Sequence, residues 1–119
     1  MDDHFLYLTT TGRTSGEPRS IEIWFVEHEG RYYLVSEHRE ASHWVKNLQR
    51  DPAVTLTVGT RLDRTAARPP TRATARVVRD ADEPELARVV RALMDAKYRW
   101  SDGLIVELAP EPTERTPSG

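Results

Sequence analysis

A loop rich in glycine and arginine near the N-terminus contains the residue types that bind oxyanions. The segment Gly12–Arg19 reads Gly-Arg-Thr-Ser-Gly-Glu-Pro-Arg and follows a run of β-forming residues. Two glycines allow a tight turn and close approach of a ligand to the backbone, and the two guanidinium groups can converge on one anion beside the hydroxyl of Ser15. The combination predicts phosphate recognition, although a hairpin turn with two solvated arginines has the same pattern.

The histidines do not predict a metal site. His38 and His43 are five residues apart and have no third ligand at helical spacing, so we expect no bound metal ion. Either histidine can protonate a product or contact a cofactor, or it can lie in solvent at the start of a helix. Trp44 can stack on a planar ring or belong to the core.

A series of arginines in the second half of the chain raises the question of a nucleic-acid partner. Between residues 61 and 79 one carboxylate, Asp63, opposes the arginines Arg61, Arg64, Arg68, Arg72, Arg76 and Arg79. The series contains no aromatic residue for base stacking, and the net charge of the chain is −2. We therefore expect no nucleic-acid partner and a solvated strand face that carries Arg72 and Arg76, opposite Ala73 and Ala75.

Alternating and β-branched residues predict the strands that must position these groups. The predicted strands are Phe5–Thr11, Arg19–His28, Arg31–Ser36, Ala53–Gly59, Thr71–Val78 and Leu104–Leu108. Glu29-Gly30 joins the second and third strands into a hairpin. One further strand is expected before the break at Pro69-Pro70.

Two segments have the apolar spacing of helices. Ser42 can cap a short helix that ends before Asp51-Pro52. A longer helix of roughly four turns begins after Asp82 with an acidic first turn and ends near Tyr98. The order of elements predicts a mainly β, α+β protein, in which about six to seven antiparallel strands close into a small barrel with two helices.

Length and composition limit the organisation of the chain. Its 119 residues fit one domain, and a hydrophobic fraction of 38% beside a charged fraction of 30% is typical of a globular protein. We expect a single domain over residues 1–109 and a disordered tail over residues 110–119. The absence of cysteine excludes disulfides and thiolate chemistry. An acidic N-terminus and short apolar runs predict a cytoplasmic protein without a membrane span.

Several spaced motifs occur in one order along the first half of the chain. They are the loop Gly12–Arg19, Ile23-Trp24, Gly30–Ser36, Trp44–Leu48 and Asp51–Thr55. Together they resemble the deazaflavin-dependent nitroreductase family, whose members are split-β-barrel proteins that use coenzyme F420. The likeness runs from about Leu8 to Gly59 and continues more loosely to Lys97-Tyr98. It implies a split antiparallel β-barrel and, since split barrels often pair across a face, a homodimer.

The resemblance also implies which residues contact the cofactor. In that family the Gly-Arg-x-Ser-Gly-x-x-Arg loop holds the phosphate and acidic tail of F420, which corresponds here to Arg13, Ser15, Gly16 and Arg19. The segment after the third strand and the start of the next helix line the deazaflavin, which corresponds to Ser36, Glu37, His38, Arg39, Trp44 and Asn47. No catalytic side chain is implied, because the cofactor supplies the difficult chemistry.

The activity implied by the resemblance is that of an oxidoreductase. Reduced F420 would donate a hydride to a small organic acceptor, such as a quinone-like or nitro compound. Two alternatives keep the same barrel. In one, FMN replaces F420 and the loop holds a single phosphate; in the other, the protein binds F420 or a flavin without turnover.

Overall fold

The computed structural model describes residues 4–60 and 70–111 of the chain. Within these residues seven strands form one antiparallel sheet. In chain order the strands are β1 His4–Thr11, β2 Pro18–Ile23, β3 Val26–His28, β4 Arg31–Ser36, β5 Ala53–Thr60, β6 Thr71–Val78 and β7 Leu104–Pro110. The α-helices are α1 His43–Arg50 and α2 Pro84–Tyr98, and a 3-10 turn covers Arg39–Ala41. The predicted mainly β, α+β class with two helices is confirmed.

Most predicted elements are present with bounds shifted by one or two residues. The strand expected before Pro69-Pro70 lies outside the described residues. β7 ends at Pro110, beyond the predicted end at Leu108, because Ala73 and Thr74 of β6 pair with its last two residues. Pro110 therefore belongs to the sheet and not to the tail. Disorder of the remaining tail stays a prediction.

The single strand predicted over Arg19–His28 is wrong, because the chain leaves the sheet at Trp24 and Phe25. The backbone carbonyl of Phe25 accepts hydrogen bonds from Tyr98 Oη at 3.0 Å and Lys97 Nζ at 2.9 Å. The Phe25 N–H donates to Tyr98 Oη at 3.2 Å. These backbone groups bond to the end of α2 instead of a neighbouring strand, and β2 ends there.

The break determines the order of the sheet, β2-β1-β5-β6-β7-β4-β3. β2 pairs with β1 at one edge and β3 pairs with β4 at the other. The two edges are thus consecutive stretches of the chain, joined at Trp24-Phe25. This is the arrangement of a barrel that is open along one seam.

A tight hairpin joins β3 to β4 as the sequence predicts. Glu29 and Gly30 both have positive φ, 52° and 79°. Two consecutive residues in this region define a type I′ turn, whose twist matches that of the flanking strands.

Apolar residues are buried on both faces of the sheet. One face carries Leu6, Leu8, Leu34 and Leu108, and α1 packs Val45 and Leu48 against it. The other face is covered by α2, which packs Ala87, Val90 and Met94 against Val35, Val78 and Ile105. Each fully buried aliphatic side chain contributes about 1.5–3 kcal/mol relative to an exposed one. The two helices are therefore held by opposite faces of one sheet.

A buried carboxylate, Glu107 of β7, lies on the same face as α2. Only 2% of Glu107 is exposed. Arg76 Nε donates to Glu107 Oε1 at 2.8 Å, and Tyr33 Oη and Arg31 Nη1 donate to Oε2 at 2.8 Å and 3.3 Å. Arg76 also bonds both carboxylate oxygens of Glu83.

This network changes the expected role of the arginines in β6. Arg72 and Arg76 are exposed and lie opposite the buried Ala73 and Ala75, as predicted. Arg76, however, is not simply solvated, because two carboxylates neutralise its guanidinium group. The part of the arginine series before Thr71 lies outside the described residues.

The network also determines how the carboxylates titrate. Burial by itself raises the pKa of Glu107, but hydrogen bonds from Arg76 and Tyr33 outweigh burial, and this pKa lies below the ordinary value of 4.5. Burial and the hydrogen bond to Glu107 raise the pKa of Tyr33 to about 12. A carboxylate with a lowered pKa stabilises the folded state above its unfolded-state pKa, and this stability is lost as the pH falls through the folded value.

We predict that Glu107→Gln lowers the free energy of unfolding at pH 7 by about 2–3 kcal/mol, because a neutral amide leaves the Arg76 guanidinium under-compensated beside the core. The difference from the wild type should shrink as the pH falls from 4.5 through the lower pKa of folded Glu107, where the native carboxylate takes up its proton. Urea unfolding across this pH range measures both effects. In the control Glu85→Gln, an exposed pair with Arg88 is lost, and the cost should stay below about 0.5 kcal/mol. Equal losses in the two variants would contradict the assignment.

Candidate active site

The loop between β1 and β2 closes on itself through its two glycines. The Gly12 N–H donates to Glu17 O at 2.8 Å, and the Gly16 N–H donates to Gly12 O at 2.8 Å. Gly16 has φ of 75°, in the region that side chains disfavour. A Cβ atom on Gly12 would lie 2.8 Å from Ser15 Oγ and 3.2 Å from Glu17 O. Both positions therefore require glycine for this loop shape.

A buried amide connects this loop to α1. Asn47 is 4% exposed, and its Oδ1 accepts from Arg13 N at 3.2 Å and from Arg13 Nη1 at 2.9 Å. Asn47 Nδ2 donates to Thr10 Oγ1 at 3.2 Å. Arg13 Nη2 also donates to His43 Nδ1 at 3.2 Å. Asn47 thus fixes both the backbone and the guanidinium group of Arg13.

The first cavity at this end of the barrel, which we call the arginine pocket, has a volume of about 410 Å³. Its lining residues are Thr10, Gly12, Arg13, Thr14, Ser15, Arg19, Ile21, His43, Trp44 and Asn47. Two of them carry a permanent positive charge and none carries a carboxylate. In the part of the chain that the structure describes, no protein acceptor contacts the N–H of Thr14 or Ser15. The pocket therefore offers charged and backbone donors to an anion.

The second cavity, which we call the aromatic pocket, has a volume of about 680 Å³. Its lining residues are Phe5, Glu22, Ile23, Trp24, Val35, Ser36, Glu37, His38, Ser42, Trp44 and Trp100. Trp44 lines both pockets. The two cavities thus meet at one indole ring, and together they can hold a ligand with a planar group at one end and an anionic group at the other.

The structure brings most of the residues implied by the resemblance to these two pockets. Arg13, Ser15, Arg19, Trp44 and Asn47 line the arginine pocket. Ser36, Glu37, His38 and Trp44 line the aromatic pocket.

Two of the implied residues lie outside the walls of both pockets. Arg39 has positive φ of 51° at the start of the 3-10 turn, and its Nη2 pairs with Asp102 Oδ1 at 3.1 Å. Gly16 lines two other cavities. A direct contact from either residue to a ligand in these pockets is therefore not supported by its position.

Ser42 is the residue before α1, as predicted, but its hydroxyl does not cap the helix. Ser42 Oγ instead lies 2.8 Å from Ser36 Oγ, which also donates to Arg39 O at 3.0 Å. These bonds tie the end of β4 to the start of α1. Ser36 is 2% exposed, so its main contribution is to position this corner of the aromatic pocket.

Sequence reasoning did not assign Trp24 and Trp100 to the site. Trp24 is 41% exposed, stacks on Tyr98 with ring centroids 4.4 Å apart, and meets Trp100 edge-on at 6.5 Å. The signal for Trp24 was a large aromatic residue where strand alternation stops. Trp100 had no such signal, because its place beside Trp24 depends on how α2 packs.

Within residues 4–60 and 70–111, no cluster of three or more histidine, aspartate or glutamate side chains is arranged to hold a metal ion. The helices of this part of the chain are also too short or too polar to cross a membrane.

Comparison with known proteins shows which protein family this chain is similar to. The sequence profile of a family described as F420H(2)-dependent quinone reductase matches residues 1–102. A comparison with curated protein sequences gives no match.

Several solved structures share the fold. The heme storage protein HutZ from Vibrio cholerae is 22% identical with a TM-score of 0.69, and the match covers 92% of this chain and 82% of that one. A structure described as an F420 reductase is 16% identical with a TM-score of 0.64, covering 92% and 88%. An F420-H2 dependent reductase, FDR-A, is 21% identical with a TM-score of 0.54, covering 87% and 92%.

We predict that Asn47→Ala lowers the free energy of unfolding by about 2 kcal/mol, because the N–H of Arg13 and the hydroxyl of Thr10 lose a buried partner. His43→Ala is the matched control on the same helix, since it removes one exposed contact to Arg13 and should cost less than about 0.5 kcal/mol. Urea unfolding of both variants measures the difference. A cost for Asn47→Ala no larger than that of the control would contradict the role of the buried amide.

Proposed function

This chain belongs to the F420H2-dependent quinone reductase family, and from this membership we propose that it passes a hydride from reduced F420 to a quinone-like or nitro acceptor. Membership makes the protein an oxidoreductase that uses coenzyme F420 and confirms the family inferred from the spaced motifs. The observation that supports the proposed arrangement is the meeting of the arginine pocket and the aromatic pocket at Trp44.

The residues of the two pockets suit such a cofactor. Ligand sites commonly have volumes of roughly 300–1,000 Å³, and the two cavities, of about 410 Å³ and 680 Å³, fall in this range. Arg13 and Arg19 provide forked donors for a phosphate, and no carboxylate lines their pocket. The aromatic pocket provides indole and phenyl surfaces for a planar ring.

Each side chain then has a physical role in binding or positioning. Arg13 and Arg19 bind the phosphate, and Asn47 holds Arg13 in place. Trp44 orients the ring at the junction of the pockets. Trp24 and Trp100 exclude water from the far wall, where the acceptor is held. When bound, reduced F420 supplies the hydride itself, so no protein nucleophile is required.

Reduction of a quinone also needs a proton. His38 lines the aromatic pocket, whereas His43 lines the arginine pocket and contacts Arg13. We therefore assign proton delivery to His38. Where His38 is removed, solvent delivers the proton instead.

Other expectations from the sequence are part of this proposal. We expect a cytoplasmic homodimer that acts on small molecules and has no nucleic-acid partner. Analytical ultracentrifugation measures the oligomeric state directly.

We predict that Arg19→Ala weakens F420 binding about 10- to 100-fold, the range expected when a hydrogen bond to a charged group is lost. Fluorescence titration of F420 measures this change, and FMN is titrated in parallel. Arg88→Ala is the control, because Arg88 lies on α2 and pairs with Glu85. A wild-type protein that fails to bind F420 at micromolar concentration, or that binds FMN more tightly, would refute the proposed cofactor arrangement.

Trp24→Ala should raise the KM for a soluble naphthoquinone about fivefold and change kcat by less than about twofold, because a stacking surface for the acceptor is lost. Trp24→Phe keeps an aromatic face and should stay near wild type. Oxidation of reduced F420, followed by absorbance, measures both constants. If F420 binds but its absorbance never changes with any quinone or nitro acceptor, the protein is a carrier and not a reductase.

A further inference from the structure

The two pockets of the site carry side chains of opposite charge. Arg13 and Arg19 line the arginine pocket, which no carboxylate lines. Glu22 and Glu37 line the aromatic pocket, and none of the described residues that line this pocket is arginine or lysine. Trp44 lies where the two pockets meet. An anionic group is therefore attracted to one end of the site and repelled at the other.

Glu37 is the carboxylate of the aromatic pocket whose charge is not compensated by a described side chain. Across residues 4–60 and 70–111 it has no hydrogen-bond or ion-pair partner for its carboxylate. Glu22, by comparison, accepts a hydrogen bond from Tyr7 Oη at 3.5 Å. Glu37 directly follows β4 and is exposed, so its carboxylate acts on a bound molecule through its charge.

Two basic side chains near the aromatic pocket are engaged elsewhere. Arg39 lies two residues after Glu37, but its Nη2 pairs with Asp102 Oδ1 at 3.1 Å. Lys97 Nζ donates to Phe25 O at 2.9 Å and lies 4.1 Å from the centroid of the Phe25 ring. Neither of these cations therefore neutralises Glu37.

The aromatic rings of the pocket add a second attraction for positive charge. The cavity is lined by one phenyl ring and three indoles, those of Phe5, Trp24, Trp44 and Trp100. The face of an aromatic ring is the negative part of its quadrupole, so it attracts cations as well as flat apolar groups. A planar cation thus gains from the rings and from the carboxylate, whereas a planar anion is repelled by the carboxylate.

We propose that the acceptor in the aromatic pocket is a planar neutral or cationic compound, and that Glu37 is the residue that discriminates against anionic acceptors. This inference rests on the proposed function, which places the acceptor in this pocket, and it adds the charge of the substrate class. Glu37 acts on the acceptor through its charge and has no part in hydride transfer.

The test compares two naphthoquinones that carry either a trimethylammonium or a sulfonate group on the same alkyl linker. Oxidation of reduced F420 gives kcat/KM for each, and a general loss of activity cancels in the ratio of the two values. A unit charge at about 4 Å in water changes binding about fivefold. The wild type should therefore favour the cation by roughly five- to twentyfold at low ionic strength.

Substitutions of Glu37 should change this ratio in a defined direction. Glu37→Gln should lower it about three- to fivefold, and Glu37→Lys should make the sulfonate the better substrate. Added salt should lower the wild-type ratio, because salt screens exposed charges. Glu27→Gln is the matched control and should leave the ratio unchanged, since Glu27 is an exposed carboxylate of β3 that lines neither pocket.

A second readout does not depend on hydride transfer. The chain contains three tryptophans, and all three line the aromatic pocket. Quenching of their fluorescence by each naphthoquinone therefore gives dissociation constants for the protein without cofactor. The ratio of these constants should show the same preference for the cation and the same change in Glu37→Gln.

Each other outcome refutes a defined statement. If the wild type reduces both naphthoquinones equally well or prefers the sulfonate, or if Glu27→Gln changes the ratio as much as Glu37→Gln does, the role of Glu37 is wrong while the proposed function stands. If both compounds quench with the expected ratio but neither oxidises reduced F420, the proposed function fails while the charge preference of the pocket stands. If neither compound quenches nor reacts, both statements are wrong.

Discussion

The hydrogen bonds of one buried amide hold together the end of the protein that carries the glycine-rich loop Gly12–Arg19. Asn47 of α1 accepts hydrogen bonds from the backbone N–H and the guanidinium group of Arg13, and it donates a hydrogen bond to the hydroxyl of Thr10 in β1. A loop with two glycines has many accessible conformations, and ordering it has an entropic cost. The hydrogen bonds of Asn47 offset part of this entropic cost. Asn47 itself is held in place, because Val45 and Leu48 fix α1 in the core. The Arg13 side chain is consequently held in one orientation, and such preorganisation suits the anion-binding role that we propose for it.

A second constraint acts at the opposite wall of the site. The chain leaves the sheet at Trp24 and Phe25 because Tyr98 and Lys97 bond the Phe25 backbone. The same break opens the barrel along one seam and turns Trp24 toward the aromatic pocket, where it stacks on Tyr98. Helix α2 therefore contributes to the site without lining the arginine pocket. Its packing on the outer face of the sheet decides where the aromatic wall lies.

The distribution of charge connects the fold to the proposed chemistry. Arg76 is neutralised by Glu107 and Glu83 and stabilises the sheet and the start of α2. Arg13 and Arg19 have no carboxylate partner among the described residues and line a cavity. Residue type alone does not separate these roles, because both sets are arginines on or beside strands. What separates them is whether the fold places a carboxylate within reach.

Local sequence patterns determined much of this protein by themselves. Alternation predicted the strands, Glu29-Gly30 predicted the hairpin, and the spaced motifs around Gly12–Arg19 indicated the family. These features depend on residues close together in the chain, where spacing and backbone preference suffice. Only the tertiary structure decided three other features. They are the break at Trp24-Phe25, the salt bridge of Arg39 outside the pockets, and the contact between Trp24 and Trp100. Each of these depends on partners from α2 or the residues that follow it, and sequence patterns carry no information on how segments so far apart pack together.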